Sequence, residues 1–353
     1  MSDSPLVAPP VAGPSAPPPP NTLADLDPEA RRRRRRKWLL LLLLGVLATV
    51  FLVIGTWYLL FRKPLDEILP PVMTEKAPQF SFSIYDLDHP IGVAVTPDGG
   101  RIYVSDSAGA RVVHVYDSRA HQIGTLVPPG TSPGSRIPVY IAIDPVTSQV
   151  YVSDRWSASI EIYGSDNAYI GTFKPDPAIP DWQPLGLAFD AAGRLYVGDV
   201  AGTSHRVLVF DRDRKLVRTV GVAQNLEFPN GLAIDAHGDI AIADGNNGRV
   251  LIIGPDDGVV GSIGRGFAPG ELALPRGMAI DDSGRLYVTD TTAHVVQMYR
   301  LDAGTGAPTW IAAVGSEGRD EGSFEYPHGL AVDGRARIYI ADWANNRLDV
   351  WSY

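Results

Sequence analysis

The chain has no cysteine, which excludes a disulfide framework, a thiolate nucleophile and any cysteine-ligated metal. Positive charge is scarce over most of its length: from residue 64 onward there are 22 Lys and Arg against 36 Asp and Glu, a net charge of −14. A surface of that sign repels phosphate backbones and argues against a nucleic-acid partner. The first 30 residues have little apolar content but nine prolines, Pro17–Pro20 among them. Such a segment cannot bury enough surface to offset its ordering entropy. Residues 1–37 therefore read as a disordered Pro-rich and Arg-rich tail.

One stretch lacks charge altogether. Arg31–Arg36 and Lys37 run directly into the 24 uncharged residues Trp38–Phe61. A helix of that length covers roughly 36 Å, enough to cross a hydrocarbon core of about 30 Å. A cleaved secretory signal has a shorter apolar run that ends at a small-residue site, whereas this one ends in Trp57-Tyr58-Leu-Leu-Phe-Arg-Lys. Residues 38–61 are thus expected to be an uncleaved transmembrane helix, with Trp38, Trp57 and Tyr58 at the interfaces. Seven basic residues stand before the span and two after it, Arg62 and Lys63. The positive-inside rule then leaves the N-terminus in the cytoplasm and everything after the span outside it. Residues 62–78, with Pro64, Pro70, Pro71 and Pro78, read as a semi-extended linker.

From there the chain repeats itself. Six copies of a Pro-x-Gly opening, an apolar-Ala-apolar-Asp run, a turn and an apolar-Tyr-apolar-x-Asp strand begin at Pro90, Pro138, Pro184, Pro229, Pro275 and Pro327. Each reaches a second aspartate 15 or 16 residues later, at Asp106, Asp154, Asp199, Asp244, Asp290 and Asp342. A period of 45 to 52 residues is that of a β-propeller. The fourth copy reads as four strands, 231–235, 239–244, 249–253 and 258–263, joined by turns rich in Gly, Asn and Asp. The sixth copy stops one strand short, and the alternating segment Gln79–Tyr85 is the spare strand that would complete it. An all-β, six-bladed propeller over residues 79–353, closed by its N-terminal strand, follows.

The pattern resembles the NHL repeat family. The likeness is greatest in Phe228-Pro-Asn-Gly-Leu-Ala-Ile-Asp235 with Asn247-Gly-Arg-Val250, and in Tyr326-Pro-His-Gly-Leu-Ala-Val-Asp333 with Asn345-Asn-Arg-Leu348. Copies one, two and five depart from it: Thr96 replaces the first aspartate, Tyr140 replaces the Gly, and Ser159 and His294 stand where Asn-x-Arg is expected. The resemblance implies a scaffold whose faces bind, and bacterial membrane receptors carry similar propellers as sensors. It also implies two enzymatic alternatives. Amidating lyases of this kind hold zinc with histidines on the channel, and His328 matches such a position, with His89 a second candidate. His114, His121, His205, His237 and His294 fall in later strands and turns. Propeller lactonases need a Glu, Asn and Asp set around an axial calcium, and no copy has a Glu in its first strand. For a serine nucleophile, Asp154-Arg-Trp-Ser157 and Thr203-Ser-His205 show proximity in sequence only.

Residues present in every blade are most simply structural, so the repeated aspartates are expected to accept backbone N–H groups or pair with the arginine five residues on, as Asp244 with Arg249 and Asp342 with Arg347. Informative positions are those where the blades differ. The residue between Pro and Gly reads Ile91, Val139, Leu185, Asn230, Arg276 and His328, three apolar then three polar, at the expected mouth of the central channel. Asn230, Arg276 and His328 are therefore the expected ligand- or partner-binding residues. Trp156, Trp182, Trp310 and Trp343, in or near connecting segments, are the candidate interface aromatics. The expectation is a non-catalytic, membrane-anchored binding platform outside the cytoplasm, taking a protein partner or small ligand and no cofactor. A hydrolase or lyase using zinc or calcium at the channel mouth is the alternative.

Overall fold

The computed structural model describes residues 28–61 and 77–353, apart from 174, 176–178, 180 and 181. The expected tail up to residue 27 and the linker at 62–76 lie outside the described residues.

A single helix runs from Pro28 to Phe61, ten residues longer at its start than the apolar run alone indicates. Pro28 is tolerated in the first turn, where its missing N–H has no partner to lose. Glu29 stands where the helix dipole favours an acid, and arginine is a good helix former, so the helix continues through the basic run. The segment Arg32–Thr56 is long and apolar enough to cross a membrane.

The remainder is a six-bladed propeller. Twenty-four strands form six four-stranded antiparallel sheets. The inner strands are Pro90–Val95, Pro138–Ile143, Pro184–Phe189, Pro229–Ile234, Pro275–Ile280 and Pro327–Val332, each beginning at the proline of its copy. The last blade is completed by Gln79–Ile84, which pairs antiparallel with Arg347–Ser352 in a register running from Gln79 opposite Ser352 to Ile84 opposite Leu348. The ring is thereby closed by pairing the two ends of the repeat region.

Apolar side chains from one sheet meet those of the next. Ala243, Val250 and Ile252 of the fourth blade, for example, form one buried cluster with Met278, Leu286 and Val288 of the fifth. Fully burying such a side chain contributes about 1.5–3 kcal/mol, whereas an exposed ion pair contributes about 0–1 kcal/mol. Packing between blades therefore dominates the stability of the ring. The inner strands approach so closely that a Cβ at Gly231 would fall on the Arg276 carbonyl oxygen, and one at Gly329 on that of Ile91. This is the physical reason for the Gly after Pro-x. Hydroxyl groups add staples between blades: Ser105 Oγ donates to the Val139 carbonyl at 2.5 Å and Ser153 Oγ to that of Leu185 at 2.7 Å. Each accepts the N–H of Gly92 or Tyr140 in its own blade.

The closing blade holds two buried carboxylates around one guanidinium. Arg347 lies 3.2 Å from Asp342 and 3.0 Å from Asp349, and Ser83 of the N-terminal strand donates to Asp349 at 2.5 Å. Burial, with the other carboxylate adding repulsion, pushes Asp342 up to about 7. Burial likewise pushes Asp349 up to about 6, against the hydrogen bond from Ser83 and the charge of Arg347. A carboxyl raised on folding stabilises most below its unfolded value near 3.8, and that contribution is lost as pH rises through the folded value. Relative to Asp349→Asn, the native chain should gain on the order of 1–3 kcal/mol between pH 8 and pH 4.5. Urea unfolding at both pH values measures the difference, and parallel curves for the two proteins would refute it.

Candidate functional site

The two faces of the propeller differ in kind. One carries the connections that enter each inner strand and the turns between second and third strands, and is called the loop face here. The other carries the turns between first and second and between third and fourth strands. On this tight-turn face, Asp190, Asp281 and Asp333 each accept N–H groups of their own turn and pair with Arg194, Arg285 and Arg337, while Tyr196, Tyr287 and Tyr339 donate to them. Those aspartates build turns.

On the loop face the second aspartates do the equivalent work. Each accepts the backbone N–H of a residue one or two before the inner-strand proline: Asp88 to Asp106, Ile137 to Asp154, Gln183 to Asp199, Glu227 to Asp244, Leu274 to Asp290 and Glu325 to Asp342. Arg249 lies 2.7 Å from Asp244 and Arg347 3.2 Å from Asp342, as the repeat pattern leads one to expect. His114 takes that place beside Asp106 at 2.9 Å. Where Asn-x-Arg is missing, histidine acts differently. His205 and His294 accept the N–H groups of Phe228 and Tyr326 through Nδ1 and lie against those rings.

The residues between Pro and Gly gather around the axis, although their burial differs from that of an open mouth. Val139, Tyr140 and Leu185 form a buried cluster against which Ile91 packs. Asn230 is 1 % exposed; its Oδ1 accepts from Arg276 Nη1 at 2.8 Å and its Nδ2 donates to the Phe228 carbonyl at 2.8 Å. Burial and then the Arg276 charge push His328 down to about 3. Burial pushes the Tyr140 hydroxyl up to about 12, the Arg276 charge opposing it. Sequence reasoning noted Tyr140 only as a departure from glycine. Being the one copy with a side chain at that position was the signal that it enters the axis.

Along the axis runs a cavity of about 360 Å³, from Pro97, Pro145 and Asp190 on the tight-turn side to Tyr140 and Asn230 on the loop side. Each inner strand ends its sheet, so its free edge of N–H and C=O groups faces this channel.

Of the four tryptophans singled out from the sequence, Trp156 stands mostly in solvent, 62 % exposed. Trp182 packs on Phe173 of the second blade and Phe210 of the third, in the cluster between them. Trp310 donates to Gln297 at 2.9 Å and packs on the cluster between the fourth and fifth blades. Trp343 lies against His89, His328 and Tyr326, with ring centroids 4.7, 5.9 and 6.5 Å away. Its indole thus contacts both histidines that the lyase alternative would use. Among the described residues no group of three or more His, Cys, Asp or Glu comes together as a metal site. Gly130-Thr-Ser-Pro-Gly134 spells a Gly-x-Ser-x-Gly pattern, but Ser132 precedes a single 3-10 turn, Pro133–Ser135, in an exposed connection. The strand-to-helix context of a nucleophile elbow is missing there.

Three segments, residues 87–115, 226–253 and 272–299, match the model of the NHL repeat. Those three segments of the propeller are NHL repeats. Among curated proteins the chain is similar to a probable peptidyl-alpha-hydroxyglycine alpha-amidating lyase of Caenorhabditis elegans, 28 % identical over 167 residues, covering 40 % of this chain and 45 % of that protein. It spans less than half the length of the curated relatives it matches. Among solved structures, that of a streptogramin B lyase superposes with a TM-score of 0.56 at 12 % identity, covering 77 % of this chain and 96 % of that one. A chain of a nidogen/laminin complex does so with a TM-score of 0.52 at 18 % identity, covering 71 % and 84 %. These likenesses establish the fold, which serves both binding proteins and lyases.

His328 should remain neutral from pH 5 to pH 8 because its folded value is held near 3. Its ring-proton resonances, assigned by loss in His328→Gln, should not move over that range, and a midpoint within it would contradict the buried placement.

Proposed function

We propose that the chain is a single-pass membrane protein displaying its NHL propeller outside the cytoplasm as a non-catalytic platform, with the loop face docking a protein partner. The observation that carries this reading is the distribution of exposed aromatic rings. Tyr85, Trp156, Phe267 and Tyr326, at 50, 62, 83 and 42 % exposure, all lie in loop-face segments. On the opposite side, among the described residues, only Tyr353 is comparably open, at 38 %, and Arg285 covers its ring. Large rings with few torsions contribute much contact area at low entropic cost, which is why they anchor protein interfaces.

Chain geometry favours the same face. Gln79 and Ser352 are paired, so the propeller's entry and exit both lie on the tight-turn side. The loop face is free of chain ends. The orientation rests on the basic residues before the apolar run, which outnumber those after it. Likeness to a chain of a nidogen/laminin complex supports a binding role. The lyase likenesses support an enzyme equally at the level of fold, but the contact of Trp343 with both His89 and His328 weighs against those histidines as joint metal ligands.

Two measurements test the reading. Crosslinking in native membranes should recover a partner with the intact chain, and the pair Trp156→Ala and Phe267→Ala should reduce recovery at least fivefold with the fold retained. Undiminished recovery would move the docking site elsewhere. Protease added outside sealed cells should cut the propeller and spare an epitope placed before Arg31. Cleavage of that epitope would reverse the topology.

A further inference from the structure

Arg276 is the anomaly of the loop-side channel end. A guanidinium is charged at every accessible pH; Arg194, Arg206, Arg249, Arg285, Arg337 and Arg347 each pair with an aspartate, and the buried Arg136 is held by the carbonyls of Ala110 and Arg111 and by Thr131. Among the described residues Arg276 has no carboxylate within ion-pair distance. Its one side-chain bond is to the neutral Asn230, and its Nε is buried with no hydrogen-bond partner. The surrounding groups do not compensate it. Arg276 is the one charge that acts on both Tyr140 and His328, and no acid acts on either. Tyr140 lines the channel, and neither its hydroxyl nor the His328 ring nitrogens bond to another described residue. A half-buried cation with a buried, unpartnered Nε–H, flanked by unspent neutral donors, is an electrostatic hole for an anion.

We infer that this end of the axial channel binds a small, singly charged carboxylate bearing an apolar group, with Arg276 as counter-ion and Tyr140 and His328 as hydrogen-bond donors. One guanidinium and no second cation match a monoanion better than a phosphate dianion. The other half of the ring, Ile91, Val139 and Leu185, is apolar and suits a hydrocarbon substituent beside the carboxylate. The cavity of about 360 Å³ begins at Tyr140 and Asn230 and is lined by neither Arg276 nor His328, so the ligand is placed at the loop-side mouth of the channel rather than within that cavity. The inference deepens the proposed platform by naming a ligand for its axis, and rests on the channel end being a binding element. It does not rest on Trp156 or Phe267. Partner recovery and carboxylate binding can therefore fail separately.

The test is calorimetric titration of the full chain in nanodiscs with 4-methylpentanoate, the isosteric 4-methylpentanamide, inorganic phosphate and a short peptide ending in a free Leu carboxylate. The expected result is binding of 4-methylpentanoate or the peptide, with the amide and phosphate at least tenfold weaker. Preference for the peptide would make the source a protein C-terminus, and preference for 4-methylpentanoate a free acid. Arg276→Gln should abolish the discrimination between acid and amide. Asn230→Asp supplies an internal carboxylate to Arg276 and should block binding while leaving the melting temperature at or above that of the native chain. Equal affinity for acid and amide, no binding of any carboxylate, or unchanged binding in Asn230→Asp or in folded Arg276→Gln would overturn the inference.

Discussion

The aspartate that ends each second strand is the interaction on which the rest of the propeller depends. It accepts the N–H of the segment about to enter its own blade's inner strand, so one carboxylate ties the connection from the previous blade to the sheet it joins. A hydrogen bond to a charged acceptor contributes about 1.5–3 kcal/mol. Left unpaired at that depth, the same carboxylate would cost far more. Repeated six times, the clamp sets where every inner strand starts, and with it the spacing that calls for glycine at five of the six positions, Tyr140 being the exception.

With the strand entries clamped, the connections themselves are free to differ. Loop-face segments range from four-residue turns such as 155–158 to the connection at 315–326, and those at 155–158 and 264–274 carry the exposed rings of Trp156 and Phe267. The axis is a different kind of variable. It is a ring of single positions, one from each blade, where Asn230, Arg276 and His328 meet Ile91, Val139 and Leu185. Variation there alters the end of a channel rather than an outer surface, so the proposed docking face and the proposed anion site can vary independently.

Most of the fold could be read from the chain, because propellers announce themselves by period. The six prolines mark the first residues of the six inner strands, and the spare strand at Gln79 proves to be the closing one. Less of the site was legible. That Asn230, Arg276 and His328 share one ring followed from repeat position, but that Asn230 and Arg276 bond to each other, and that Tyr140 fills the axis beside them, depends on contacts between blades that no local pattern encodes. Tryptophans in connections were ambiguous for the same reason. Trp182 folds back onto Phe173 and Phe210 while Trp156 stays out, and neither outcome shows in the residues beside it. The upstream extension of the helix to Pro28 was hidden because the apolar run marks where a membrane core would lie, not where the backbone begins to coil.

The pairing that closes the ring joins residues from the two ends of the repeat region. Ser81 meets Ser352 across 271 positions, and Ser83 meets Asp349 across 266. The strand Gln79–Ile84 therefore waits, its edge unpaired, until Arg347–Ser352 has been made. Loop-closure entropy of that span is recovered only at the final step. The nascent domain thus passes through a stage in which five sheets can form while the sixth lacks a strand, and any alternative strand nearby, including one from a second copy, competes for the same edge.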